Sequence, residues 1–190
     1  MKRFMRSSVV IVIALLAVSC GGTKKAVQEK QSGTTEIILP FSGKEYQSDK
    51  DFYRAKGSGK SPDIATAKKI ALNNTKVEIA SNISSVIKSV TQDYTNQRSG
   101  ADAQDFENKF ENLAAEVVNQ KLADVTIIGE KLLKTGNSYE YWIAIQISKK
   151  TVLDEINNRI SKDQKLQIDY DKKKFEEIYN KEMENMKNEQ

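Results

Sequence analysis

The sequence predicts an α+β fold: a small antiparallel β-sheet of about three strands, packed against long amphipathic helices, with a C-terminal helical extension. Three observations predict it. A strand-like segment ending in glycines runs directly into a helix start, two long stretches repeat apolar residues with a helical period, and two alternating segments flank a turn. Strands and helices that occur in separate blocks are typical of α+β domains.

The first strand is predicted over residues 52–59, and the first helix follows it at once. Ser61, Pro62 and Asp63 favour a helix start, with the serine as N-cap, the proline in the first turn and the acid near the positive helix end. The helix is expected to run from Pro62 to about Tyr94. Its apolar positions share one face at a 3.6-residue period: Leu72, Ile79, Ile83, Val86, Val90 and Tyr94.

A second helix and a β-hairpin are predicted next. The helix begins near Asp102, and its apolar face carries Phe106, Phe110, Leu113 and Val117. Residues 124–134 are rich in β-branched side chains, residues 135–138 supply turn chemistry, and residues 139–147 alternate between apolar and other side chains. One side of this hairpin is expected to pack against the helices, with Trp142 on the more open side.

The chain from about residue 150 to its end looks helical, and its last third is dense in Lys and Glu. Leu166, Ile168 and Tyr170 fall out of the helical register, so a bend or break is expected there. The positions in phase are Val152, Leu153, Ile156 and Ile160, then Phe175, Ile178, Tyr179, Met183 and Met186. Two interpretations stay open: a solvated helix with i,i+4 charge pairs, or a partner-binding or self-associating helix.

Residues 1–19 are predicted to be an export signal, because a basic end precedes an apolar run at residues 9–18 and small residues lead up to Cys20. The run is shorter than the roughly 20 apolar residues that a spanning helix needs. The predicted organisation is therefore a signal peptide over 1–19, a lipidated N-terminus and flexible tether over 20–48, an α+β domain over 49–150 and a charged C-terminal helix over 151–190. Residues 36–39 form a candidate short strand.

The segment Leu15–Gly22 resembles a bacterial lipobox, whose cysteine becomes a lipidated N-terminus. The resemblance implies covalent lipid, including acyl chains such as palmitate, on Cys20. Two or more acyl chains hold a protein stably on a bilayer, whereas one holds it only marginally. The competing interpretation is an ordinary signal peptide with a chance cysteine at its end. Because Cys20 is the only cysteine, no disulfide can form within the chain.

Composition and motifs exclude several classes of function. Histidine is absent, which excludes Ser-His-Asp and Cys-His catalysis. Three basic residues lie in the signal, so the rest of the chain is nearly neutral and no nucleic-acid partner is expected. Gly57–Ser61 resembles the end of a phosphate-binding loop, but Arg54 occupies the position of the first required glycine, so no nucleotide partner is expected. We therefore expect no enzyme, no metal, and no cofactor apart from the lipid on Cys20.

Residues 52–59 together with an alanine-rich helix resemble the LPP-twenty family of small bacterial lipoproteins. The matching helix positions are Ala65, Ala67, Lys68, Lys69, Ala71, Asn74, Glu78, Ile79 and Ala80. The resemblance covers roughly residues 50–148, Thr75 stands where relatives often have alanine, and the charged tail looks like an extension. It implies a lipid-anchored protein of the cell outer membrane, with an envelope role and no known enzymatic activity. No acidic residue directly follows Cys20, so a cue that some lipoproteins use to reach the cell surface is missing and the periplasmic side is expected. Only Cys20 is carried over as a functional residue.

The predicted function is that of a non-enzymatic lipoprotein anchored to a membrane of the cell envelope. Its role is structural, or it binds envelope proteins or a second copy of itself. The sheet face and the C-terminal helix are expected to make these contacts. Its candidate interaction surface is Tyr141, Trp142, Phe175, Tyr179 and Met183. The alternative is a periplasmic module that binds a glycan or small ligand with Tyr141 and Trp142. The first predicts flat exposed apolar patches, and the second predicts a deep pocket with convergent polar groups.

Overall fold

The computed structural model describes residues 37–97 and 103–188. Residues from Ile38 onward form one unit. Its elements in chain order are a short 3₁₀ helix at Lys44–Tyr46, β1 (Phe52–Ser61), α1 (Ile64–Asn96), α2 (Ala103–Lys121), β2 (Thr126–Thr135), β3 (Ser138–Ser148), α3 (Lys149–Ile160), α4 (Gln164–Asp169) and α5 (Lys172–Asn188). The predicted α+β class is confirmed.

The three strands form one antiparallel sheet with the order β1-β3-β2. β2 and β3 are joined by the two-residue turn Gly136–Asn137, where Gly136 has a φ of +58° that favours glycine. The register shifts by one residue between Ile127 and Gly129, which marks a β-bulge. The predicted hairpin and the strand at residues 52–59 are both confirmed. β1 and β3 are each two residues longer than expected, whereas β2 begins two residues later and ends one residue later.

Two glycines of β1 allow α1 to lie directly on the sheet. A Cβ atom at Gly57 would stand 2.6 Å from Thr75 Oγ1, and one at Gly59 would stand 2.4 Å from the backbone nitrogen of Ala71. The Thr75 hydroxyl donates to the Ala71 carbonyl at 2.7 Å, so this buried polar side chain is satisfied within its own helix. The lack of a side chain at these two positions therefore lets the backbone of α1 approach the sheet closely.

The start of α1 differs from the prediction. Ser61 still belongs to β1, where it pairs with Tyr139, so its backbone is committed to the sheet. Asp63 is the N-cap instead, and its carboxylate accepts from the Thr66 backbone N–H at 2.7 Å. The assignment of Ser61 as N-cap was therefore wrong. The strand considered for residues 36–39 is also not formed by residues 37–39, the part that the structure describes.

The C-terminal region breaks where the apolar register failed, into α3, α4 and α5. The apolar side chains of these helices belong to the same buried cluster as the sheet and α1. The C-terminal members of that cluster are Val152, Leu153, Ile156, Ile160, Leu166, Phe175, Tyr179 and Met183. One core therefore runs from β1 to α5 across the boundary expected at residue 150.

Candidate functional site

The candidate lipid-attachment residue, Cys20, lies outside the described residues, so lipidation stays a prediction. None of the helices within residues 37–97 and 103–188 combines the length and the apolar character that crossing a bilayer requires. The surface residues considered next come from the sheet and the helices around it.

Three members of the expected interaction surface are buried. Phe175, Tyr179 and Met183 are exposed by only 0%, 2% and 4%. The Phe175 ring packs 4.8 Å from the ring of Phe110, and the Tyr179 hydroxyl shares a 2.7 Å hydrogen bond with Tyr53. This corrects the expectation of an accessible C-terminal helix, because the apolar stripe of α5 is covered by its own chain.

The other two members, Tyr141 and Trp142, lie on opposite faces of the sheet. Tyr141 pairs with Gly59 of β1, the residue on which α1 rests, whereas Trp142 pairs with Ser58 and with Lys131. Consecutive strand residues point to opposite faces, so the two rings cannot form one platform for a ligand. The expectation that Tyr141 and Trp142 contribute to a single surface was therefore wrong.

The face of the sheet that carries Trp142 is partly covered by the segment before β1. A Cβ atom at Gly129 would stand 2.6 Å from the Phe41 ring, and the Lys56 ammonium donates to the Phe41 carbonyl at 3.0 Å. Ala144, which pairs with both Gly129 and Lys56, is fully buried. This N-terminal segment therefore covers the middle of the outer face. Trp142 and Lys131 lie on the same face, and the Trp142 indole nitrogen is shielded from solvent with no hydrogen-bond partner among the described residues.

The opposite face is open near the hairpin turn. We call this region the hairpin-end surface, and its residues are Lys68, Glu130, Leu132, Lys134, Tyr139 and Tyr141. Leu132 pairs directly with Tyr141 and is 44% exposed. α1 rests on β1 and β3 at the glycines and leaves this part of β2 uncovered.

A charged cluster organises the hairpin-end surface. The Lys68 ammonium lies 2.6 Å from Glu130 Oε1, and the Tyr141 hydroxyl donates to the same oxygen at 3.1 Å. The hydrogen bond from Lys68 lowers the pKa of Glu130, and Glu130 in turn raises the pKa of Lys68. Sequence reasoning missed this cluster. The available signal was an acid at residue 130 among the apolar residues of a predicted strand.

A polar groove runs between α1 and α2. It has a volume of about 360 Å³, is open to solvent, and is lined by Ser81, Ser84, Ser85, Lys88 and Glu111, among others. Glu111 Oε1 is shielded from solvent and has no hydrogen-bond partner among the described residues. An unpaired buried acceptor costs free energy, so a donor brought by a ligand would be favoured at this oxygen.

One lysine is held in the interior. Lys149 is 3% exposed, and its ammonium lies 4.9 Å from the ring centroid of Tyr53. Burial lowers the pKa of Lys149 to about 8, against the opposing effect of the Asp49 and Asp51 carboxylates. The cation–π contact and these two acids compensate part of the desolvation cost.

Within residues 37–97 and 103–188, no group of Asp and Glu side chains is arranged to hold a metal ion. No family model matches the chain, and no curated protein matches it.

Proposed function

We propose that the chain is a lipid-anchored protein of the bacterial cell envelope, held on the periplasmic side of the outer membrane through Cys20, with a non-enzymatic role in binding envelope components. The observation that carries this proposal is the N-terminal sequence: a basic end, a short apolar run, and small residues that lead to the only cysteine. The resemblance of residues 50–148 to the LPP-twenty lipoproteins supports the same conclusion.

The character of the described surface supports an interaction role. The chain has no histidine, and the groove between α1 and α2 is open rather than a deep enclosed pocket. Large apolar side chains are exposed instead, at Ile38 and Leu39 ahead of the 3₁₀ helix and at Ile127 and Leu132 on β2. Contiguous exposed apolar patches rimmed by polar residues mark surfaces that bind proteins.

The proposed binding surface differs from the one expected from the sequence. The apolar stripe of α5 is buried, so this helix does not offer an apolar surface to a partner. We therefore propose the hairpin-end surface as the surface that binds envelope components. Tyr141 remains part of it, together with Leu132, Glu130 and Lys134. Trp142 belongs to the other face, beside Lys131.

The test of the anchor is the Cys20→Ala variant, with metabolic palmitate labelling and membrane fractionation of cells that express the full chain. Loss of the label and of membrane retention is expected, since two or more acyl chains supply the binding free energy. Ser19→Ala is the matched control: it keeps the cysteine and a small residue before it, so it should remain labelled. Persistent labelling of Cys20→Ala would overturn the proposal.

A second candidate function, binding of a glycan or small ligand, is favoured by the groove between α1 and α2, where Glu111 Oε1 lacks a donor. A soluble muropeptide digest is a suitable probe because it carries hydroxyl, amide and ammonium donors. If this candidate is right, the digest shifts the amide resonances of Ser84 and Lys88 in the full chain. Glu111→Ala should abolish the shifts, whereas the exposed Glu116→Ala should keep them. Unshifted resonances in the original chain would remove this candidate.

A further inference from the structure

We propose that the free edge of β2 pairs antiparallel with β2 of a second copy of this chain, about a two-fold axis at Leu132, so that two three-stranded sheets join into one of six strands. The inference goes beyond the lipid anchor and does not depend on it. It rests on four observations: the contrast between the two sheet edges, the direction of the backbone groups of β2, the charges that self-pairing brings together, and the exposure of Leu132.

The outer edge of β1 is closed by its own chain. The Phe52 carbonyl accepts from the Asp49 N–H at 3.0 Å, and the Arg54 N–H donates to Ser48 Oγ at 2.9 Å. Farther along, the Asn74 side chain donates to the Ser58 carbonyl at 2.8 Å. These contacts occupy backbone groups that would otherwise pair with another strand.

The outer edge of β2 is open by comparison. In the part of the chain that the structure describes, no hydrogen bond from another element reaches a backbone group of β2 except across the hairpin to β3. Leu132 and Ile127 of this strand are 44% and 41% exposed. A ten-residue edge strand with unpaired backbone groups and exposed apolar side chains is a template for strand addition.

The hairpin geometry determines which groups face that edge. In a two-residue hairpin the residues that flank the turn, here Thr135 and Ser138, exchange both of their hydrogen bonds. Hydrogen-bonded and non-bonded pairs then alternate along the strands. The N–H and C=O groups of Glu130, Leu132 and Lys134 therefore point away from β3, toward the free edge.

Self-pairing centred on Leu132 brings opposite charges together. In that register Leu132 faces Leu132 of the copy, and Glu130 faces Lys134 of the copy, twice by symmetry. Both described bonds to the Glu130 carboxylate use Oε1, which leaves Oε2 for the second lysine. Cross-strand pairs of opposite charge are stabilising, and like charges directly opposite are destabilising.

The neighbouring registers are poorer. Centring the two-fold axis on Glu130 or on Lys131 would place that residue opposite its own like charge, and centring it on Leu133 would lose both Glu–Lys pairs. The bulge at Gly129 limits the paired segment to the half of β2 nearest the turn. The occupant that matches this edge in both backbone direction and charge is therefore a second copy of β2.

The experiment is disulfide crosslinking of the full chain in cells, with a cysteine at Leu132. The two Cα atoms of a hydrogen-bonded antiparallel pair lie about 5.5 Å apart, within the range of about 4.4–6.8 Å that a disulfide spans. Leu132→Cys should therefore give a reducible species of twice the chain mass. The matched control is Leu133→Cys, which faces Lys131 of the copy and should give far less. The original chain controls for any thiol on Cys20.

Charge reversal then tests the register. Adding Lys134→Glu to Leu132→Cys should lower the dimer yield about tenfold, because two cross-strand charge pairs become repulsive together. Adding Glu130→Lys as well exchanges the charges and should restore the yield. A species of any other mass, which would mean that a different protein's strand occupies the edge, overturns the proposal. So does the absence of a dimer, equal yields from residues 132 and 133, or failure of the double exchange to restore crosslinking.

Discussion

The C-terminal helices are more buried, and the end of the hairpin near the turn is more exposed, than their sequences suggest. α5 is dense in Lys and Glu, yet Phe175 and Tyr179 on it are buried against the rest of the domain. The hairpin is rich in β-branched and aromatic residues, yet its end near the turn is open and carries a charged cluster. Charge density along an element therefore does not predict its exposure. What decides exposure is whether another element reaches its apolar side.

The largest expected effect is a loss of stability when a buried side chain of α5 is removed. Phe175→Ala removes a fully buried ring that packs against Tyr94 and Phe110, and should lower the free energy of unfolding by about 3–5 kcal/mol. Urea denaturation of the full chain measures the change. The control is Ile168→Ala, at a side chain that is 84% exposed, where the change should be small. Equal costs at the two positions would mean that α5 is not part of the core.

The next effect concerns the point where α1 rests on the sheet. Gly59→Ala would place a Cβ 2.4 Å from the Ala71 nitrogen and 2.5 Å from the Ala67 carbonyl oxygen. Neither backbone atom can move without shifting α1, so a loss of about 1–3 kcal/mol of stability is expected. Ser58→Ala, on the other face of β1, should be much milder. If the two substitutions were equally tolerated, α1 would not approach the sheet as closely as described.

A pH-dependent effect is expected from the interior lysine. Because burial lowers the pKa of Lys149 to about 8, the unfolded chain keeps a proton between about pH 8 and 10.5 that the folded chain has released. Stability relative to Lys149→Met should therefore rise with pH across this window. Paired urea denaturation series of the two chains at several pH values measure the difference. A difference that stays constant with pH would contradict the lowered pKa.

The smallest expected effect is a change in the pKa of Glu130 on the hairpin-end surface. Because the hydrogen bond from Lys68 lowers the pKa of Glu130, Lys68→Ala should return that pKa toward its ordinary value. A side-chain carboxyl NMR titration measures it, and Lys69→Ala on the same helix is the matched control. This pair is exposed, so overall stability should hardly change. An unchanged Glu130 titration in Lys68→Ala would mean that the ion pair does not form in solution.

Much of the fold was predictable because period and turn chemistry are local. The hairpin follows from the alternation after the turn at Gly136, and the break before α5 follows from the lost register at Leu166–Tyr170. The start of α1 was misplaced by two residues because Ser61 and Asp63 are both good caps, and only the pairing of Ser61 with Tyr139 decides between them. Local patterns cannot supply that tertiary pairing.

The candidate site was less predictable than the fold. Periodicity identified the stripe of Phe175, Tyr179 and Met183, but it carried no information on which element covers that stripe. Lys68 of α1 contacts Glu130 of β2 and lies over the ring of Tyr141 of β3, so this cluster depends on how α1 crosses the sheet. The state of the β2 edge likewise depends on what the rest of the chain leaves unpaired.

Residue-resolved amide hydrogen exchange on the full chain tests most directly whether the C-terminal helices are core and the β2 edge is the open surface. Slow exchange is expected at Phe175 and Tyr179 at all protein concentrations. At Leu132 fast exchange is expected in dilute samples, and it should slow as the concentration rises. Fast exchange throughout α5, or protection of Leu132 that does not change with concentration, would contradict a buried α5 and an open β2 edge.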